Sequence, residues 1–146
     1  YNEVIQLVND TLGIQTSSIS DMAIASIVKT CEYLGIHMKS DVFSEMNLRI
    51  PNVNAPDEWA LYITKESGYD TYVNPPGGRS FFDPEKYKKH NIDLQFLEQE
   101  IVPYRQKGKE FIPALSIIDV MMFCSKDQIA SMLRQYQIRR SCIEQV

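Results

Sequence analysis

The segment Thr71-Tyr72-Val73-Asn74-Pro75-Pro76-Gly77-Gly78-Arg79-Ser80 constrains the fold more than any other stretch of the chain. Tyr72 and Val73 favour a pleated, half-buried backbone, whereas Pro75 and Pro76 have no N–H for a ladder, so a strand has to stop near Asn74. Gly77 and Gly78 tolerate positive φ and bring bare amides close to a ligand, as strand-end loops do around small anions. A rigid turn leading into a helix that starts near Asp83 fits the same residues equally well. Neither GxxxxGK(S/T) nor GxGxxG occurs, so the loop is not a Walker or dinucleotide fingerprint and no cofactor is assigned.

Helical spacing surrounds this strand. Val4, Ile5, Leu7, Val8 and Leu12 predict a short amphipathic helix over Tyr1 to Leu12, ending at Gly13. Ser20 is the expected cap of a second helix, whose stripe Ala23, Ile24, Ile27, Val28, Cys31 and Leu34 is read as core and stops at Gly35. Ile36 to Phe43 then reads as a strand and Glu45 to Ala55 as an exposed loop. Pro56-Asp57-Glu58 opens a third helix running to Gly68, with Trp59 expected to anchor it on a sheet. Asp83-Pro84-Glu85 repeats the pattern for a short helix to about Lys89, in which Lys86, Lys88 and Lys89 read as a solvated face.

Ile92, Leu94 and Phe96 alternate with polar residues and predict a half-buried strand, with Glu98 and Glu100 as surface acids at its end. Ile101 to Pro113 is a long connection rich in aromatic and cationic groups, the kind of loop that carries binding residues. Capping patterns at Ser116 and Ser125 begin two final helices, the second carrying Ile129, Met132, Leu133 and Tyr136, and residues 139–146 read as a frayed tail. Strands separated by helices imply an α/β fold with a small parallel three-stranded sheet covered by helices on both faces. The chain fits one domain over residues 1–146. Three strands are few for a doubly wound unit, and Tyr1 is not an initiator Met, so the chain is expected to be the C-terminal part of a larger one.

A net charge of −4 and a pI near 5.2 exclude a general affinity for nucleic acid, and no apolar run is long enough to span a membrane. Cys31, Cys124 and Cys142 are odd in number and widely spaced, so they read as reduced thiols of a cytoplasmic protein. Without CxxC, and with His37 and His90 far apart, no metal site is assigned.

The run Tyr72 to Gly78, then Asp83-Pro84-Glu85-Lys86-Tyr87, then Ile92-Asp93-Leu94-Gln95-Phe96-Leu97, resembles the C-terminal half of the WbqC-like family. Tyr104-Arg105-Gln106 and Glu110 to Phe123 are similar to that family's closing motif, and Cys31 to Ile36 to its earlier helix end, so the resemblance spans about residues 17 to 138. It implies a bacterial protein of surface polysaccharide, or O-antigen, biosynthesis that acts on nucleotide-activated or lipid-linked sugars. Family members also begin with a strand and a turn rich in Gln, Pro, Tyr and Gly, which this chain does not contain.

On that resemblance the chain is expected to be a sugar-modifying enzyme, a transferase acting on a nucleotide-linked sugar. The loop Asn74 to Arg79 is expected to face Tyr104 to Phe111 and the helix start at Ser116, because open α/β sheets bind ligands at strand carboxyl ends. Asn74, Gly77 and Gly78 are expected to hold phosphate or sugar hydroxyls, Arg79 or Arg105 to add charge, and Tyr104 and Ser116 to line the site, with Asp119 as the candidate base. Asp119 also has a purely structural reading as a first-turn helix acid. The alternative is a non-catalytic binding or assembly module that docks through Met121, Met122, Phe123 and Met132 on a second copy of the chain or on a missing N-terminal half.

Overall fold

A computed structural model describes residues 1–141; Cys142 and the rest of the tail lie outside the described residues. Contacts divide the chain into two compact units: Tyr1–Ser40 with Ile101–Gln135, and Asp41–Glu100 with the segment from Tyr136 onward.

The first unit is helical, with α1 (Asn2–Leu12), α2 (Ile19–Tyr33), α5 (Ile117–Phe123) and α6 (Lys126–Leu133). Ser18 rather than Ser20 caps α2, its side chain accepting from the Asp21 amide. Gly35, at φ 70°, closes the same helix while the Ile36 amide reaches back to the Cys31 carbonyl at 2.8 Å, the six-residue return that positive φ allows. Ser125 and Gln128 form the expected reciprocal capping box on α6. Val4, Met121 and Ile129 make the buried centre, with Tyr33, Leu34 and Met122 packed around them. The α2 stripe is shallower than its period suggests: no residue of α2 is fully buried, and Ile27 is exposed. Of the residues offered for docking, Met121 is spent in this core and only Phe123 is exposed.

The second unit holds α3 (Pro56–Glu66), α4 (Pro84–Lys89) and a three-stranded sheet in the order β1 (Thr71–Asn74), β2 (Asp93–Gln99), β3 (Tyr136–Arg140). β1 and β2 run parallel as expected, with Tyr72 opposite Leu94 and Asn74 opposite Phe96. The third strand corrects two expectations. It is antiparallel to β2, so the sheet is mixed, and it is made by the segment that includes Arg139 and Arg140 rather than by Ile36 to Phe43. Residues 36–42 carry no regular structure and lead to a 3-10 turn at Phe43–Glu45; Ile36, Met38 and Phe43 stay exposed, so no burial rewards pairing there.

Leu61, Tyr87, Ile92, Leu94 and Phe96 form the core of this unit, with Tyr72 and Phe82 against it. Both of its helices therefore share one sheet face. The opposite face presents Val73, Tyr136 and Ile138, all exposed, in place of the helices expected on both sides. The buried stripe of α3 is Asp57, Leu61 and Thr64. Trp59 lies off that stripe, exposed and edge-on to Phe43 at 5.7 Å, so it does not anchor the helix on the sheet.

A buried charge joins α3 to α4. The Asp57 side chain is 2% exposed; its Oδ1 accepts from Lys86 Nζ at 3.1 Å and its Oδ2 from the Asp83 amide at 3.1 Å. Tyr87 donates its hydroxyl to the Asp57 carbonyl at 2.8 Å. Lys86 also reaches Glu58 at 3.2 Å, so it belongs to this network and not to a solvated face.

Candidate functional site

The residues singled out from the sequence divide between the two units: Asn74, Gly77, Gly78 and Arg79 in the second, Tyr104, Arg105, Ser116 and Asp119 in the first.

In the second unit the strand does stop at Asn74, and the two prolines and two glycines lead into a 3-10 turn, Pro76–Phe81. Neither Gly77 nor Gly78 has positive φ. The Gly78 amide turns back to the Pro75 carbonyl at 3.4 Å, so it is engaged in the turn itself. Close approach explains Gly78 instead: a Cβ there meets Asn74 Nδ2 at 2.6 Å and the Phe82 ring at 3.2 Å. Asn74 is fixed between two partners, accepting from the Tyr72 hydroxyl at 3.1 Å and donating to the Pro75 carbonyl at 3.2 Å. Arg79 lies over the Phe96 ring, 4.9 Å from its centre, and donates to Glu98 at 2.9 Å.

In the first unit the long connection is ordered by side chains rather than by a ladder. Gln106 makes reciprocal bonds to the backbone of Ile112, accepting its N–H at 2.8 Å and donating to its carbonyl at 2.9 Å, which closes the loop as a strand neighbour would. Tyr104 packs edge-on against Phe111 at 5.5 Å and donates its hydroxyl to Asp119 Oδ2 at 2.6 Å. Gln106 Nε2 stands 3.5 Å from the same oxygen. Asp119 therefore has one oxygen committed, while its Oδ1 accepts no bond from the described residues. Ser116 caps α5, its hydroxyl accepting from the Ile118 amide at 3.3 Å, and Arg105 is exposed.

Burial pushes the Tyr104 phenol up, and its bond to the Asp119 carboxylate adds to the shift. Burial likewise pushes the Cys124 thiol up, with the Asp119 charge as the second cause. Both groups are therefore neutral near pH 7. A half-buried carboxylate with one oxygen held by a phenol and the other open is able to orient and deprotonate a hydroxyl. Gln106, which holds the loop closed, has no role assigned from sequence beyond its place in the Tyr104-Arg105-Gln106 motif.

The profile of the WbqC-like protein family matches residues 1–131, which include Tyr104, Gln106, Asp119 and the strand-end loop. The chain belongs to the WbqC-like protein family. The match begins at Tyr1 and covers most of the chain, so it reaches further toward the N-terminus than the motifs at 17–138 and is not confined to a C-terminal half. No curated protein and no solved structure matches this WbqC-like chain. Among its described residues no helix is long and apolar enough to cross a membrane, and no three His, Cys, Asp or Glu side chains group as metal ligands do.

Proposed function

We propose that this WbqC-like protein is a cytoplasmic transferase of bacterial surface polysaccharide biosynthesis that moves a sugar from a nucleotide-linked donor to an acceptor hydroxyl. Asp119 Oδ1 takes the proton of the acceptor hydroxyl as its oxygen forms a bond to the sugar's anomeric carbon. The bond from that carbon to the diphosphate breaks, and the nucleoside diphosphate leaves with the electron pair. Tyr104 holds the carboxylate in one orientation throughout, and Arg105, exposed beside it in the chain, supplies positive charge for a phosphorylated substrate.

The observation that carries this reading is the 2.6 Å bond from the Tyr104 hydroxyl to Asp119. A purely structural first-turn acid interacts with its own helix amides, whereas here the amide at the cap is served by Ser116 and the carboxylate is turned to a phenol of the loop. The test is nucleoside diphosphate release from a panel of UDP-, GDP- and dTDP-linked hexoses, with oligosaccharide acceptors. Asp119→Asn is expected to lower turnover by about a hundredfold or more while donor binding persists, as loss of a general base does. Release that is undiminished in Asp119→Asn, or absent from the parent with every donor, overturns the assignment.

A further inference from the structure

Arg79 and Arg139 converge on one carboxylate. Arg79 Nη2 donates to Glu98 Oε1 at 2.9 Å and Arg139 Nε to Glu98 Oε2 at 2.5 Å, so each guanidinium takes one oxygen. All three residues belong to the second unit, where Glu98 lies near the carboxyl end of β2 and Arg79 follows the carboxyl end of β1. Arg139 sits opposite Phe96 across the β2–β3 ladder, and Arg79 stacks on the ring of that same buried residue. The carboxyl ends of parallel strands are where α/β sheets bind ligands.

Two features separate this trio from an ordinary surface ion pair. One carboxylate neutralises one guanidinium, so the trio itself keeps one positive charge. Arg carries five N–H donors in a fork, yet each of these two commits a single nitrogen to Glu98, and neither guanidinium has another hydrogen bond or ion pair among the described residues. The side chains of both arginines are at least half exposed, against 30% for the glutamate between them, so their remaining donors are open to solvent. Exposed ion pairs stabilise folds little, and holding two long side chains this way has a cost in freedom. Two guanidiniums held about one carboxylate apart match two linked phosphoryl groups, for which paired Arg forks are the usual partner.

We propose that Arg79 and Arg139 form a diphosphate-binding pair, for which Glu98 acts as an internal stand-in anion that holds both guanidiniums in place. For the class of ligand the proposal rests on the transferase reading above: nucleotide-linked and lipid-linked sugars both carry the diphosphate. Its test is read by binding alone. Inorganic pyrophosphate, UDP and geranyl diphosphate are titrated into the full chain by calorimetry. All three are expected to bind, and Arg79→Ala and Arg139→Ala are each expected to weaken binding about tenfold, as loss of a charged hydrogen-bonding partner does. Glu98→Gln removes the competing carboxylate and is expected to tighten binding several-fold, an effect that a merely structural ion pair does not produce.

A preference for UDP over pyrophosphate identifies a nucleotide source, and a preference for geranyl diphosphate a lipid-linked one; either supports the pair. Absence of binding at millimolar ligand overturns the proposal. So does parent-like affinity in either arginine variant, or weaker binding in a Glu98→Gln protein with parent-like circular dichroism. Should Glu98→Gln fail to fold, the two arginine variants decide. Diphosphate binding that depends on Arg79 and Arg139 in a protein that releases no nucleoside diphosphate keeps this site and sinks the Asp119 reading, and the reverse pattern does the opposite.

Discussion

Lys86→Met is the sharpest test of what holds the second unit together. Methionine keeps the length of the lysine stem and removes only its charge, which leaves the Asp57 carboxylate, 2% exposed, with the Asp83 amide as its remaining partner among the described residues. Stripping a buried charge of its counterion costs about 3–5 kcal/mol. The surviving amide bond, and the water that already reaches Lys86 at 31% exposure, reduce this to about 2–3 kcal/mol. Trp59, the single tryptophan, sits in α3 two residues from Asp57, so its fluorescence reports unfolding of this unit and not of the helical one. With a urea dependence of about 1–3 kcal/mol per molar, the Trp59 midpoint is expected to fall by about 1–2 M. Adding Asp57→Asn to Lys86→Met removes the stranded charge and is expected to restore at least 1 kcal/mol of that loss, the coupling typical of residues in direct contact. A midpoint within about 0.2 M of the parent for Lys86→Met, or a double variant no better than the single one, refutes the account of Asp57 as a buried charge held by Lys86.

Adjacent glycines are expected to respond oppositely to alanine. Gly77→Ala meets nothing within 4 Å and has no positive φ to lose, so reduced freedom of the unfolded chain stabilises it by about 0.5 kcal/mol, whereas Gly78→Ala displaces the Asn74 amide from two hydrogen bonds and costs about 1 kcal/mol net, both read from the same urea midpoint. Stability is also expected to fall on both sides of neutrality. Bonds to Asp57 and Glu58 raise the Lys86 ammonium and burial raises the Tyr87 phenol, so the folded state holds those protons more tightly; their contribution is full below the unfolded values, about 10, and is lost as pH rises beyond them. The Asn54 amide, with Lys86, lowers Glu58, whose contribution is full above about pH 4.3 and lost as pH falls through its folded value. Trp59 midpoints between pH 3 and pH 11 check both limbs, and a flat alkaline limb contradicts the Lys86 and Tyr87 assignments.

Local signals were legible because their chemistry is local. A glycine at Gly35 or Gly68 ends a helix through its own φ of 70° or 77°, and Ser125 with Gln128 caps α6 within four residues, so sequence spacing alone located these ends. The parallel β1–β2 pair followed from the helix between them. Partnerships that close across distance were not legible. Asp57 read as a first-turn acid and Lys86 as solvated, yet they meet 29 residues apart, and nothing in either local context marks the pairing. For the candidate site, Tyr104 and Asp119 were both named, but as a wall and a base; their direct bond depends on the irregular loop that Gln106 and Ile112 close, which has no period to read.

The missed strand shows the same limit and alters the electrostatics of the molecule. Tyr136 falls at helical spacing after Ile129, Met132 and Leu133, so the stripe reads as continuing, although α6 stops at Leu133 and the backbone goes on to pair with β2. Once Tyr136 to Arg140 are extended, the twofold period of a strand splits the Arg139-Arg140 doublet between opposite faces of the sheet. Arg139 then meets Glu98, 41 residues away in sequence, while Arg140 meets Asp93 at 3.2 Å. A doublet that reads as a short basic run is therefore two separated cations, each paired with its own carboxylate. Among the described residues, the one on the Phe96 face has a second guanidinium, Arg79, on the same carboxylate, so two cations converge on Glu98.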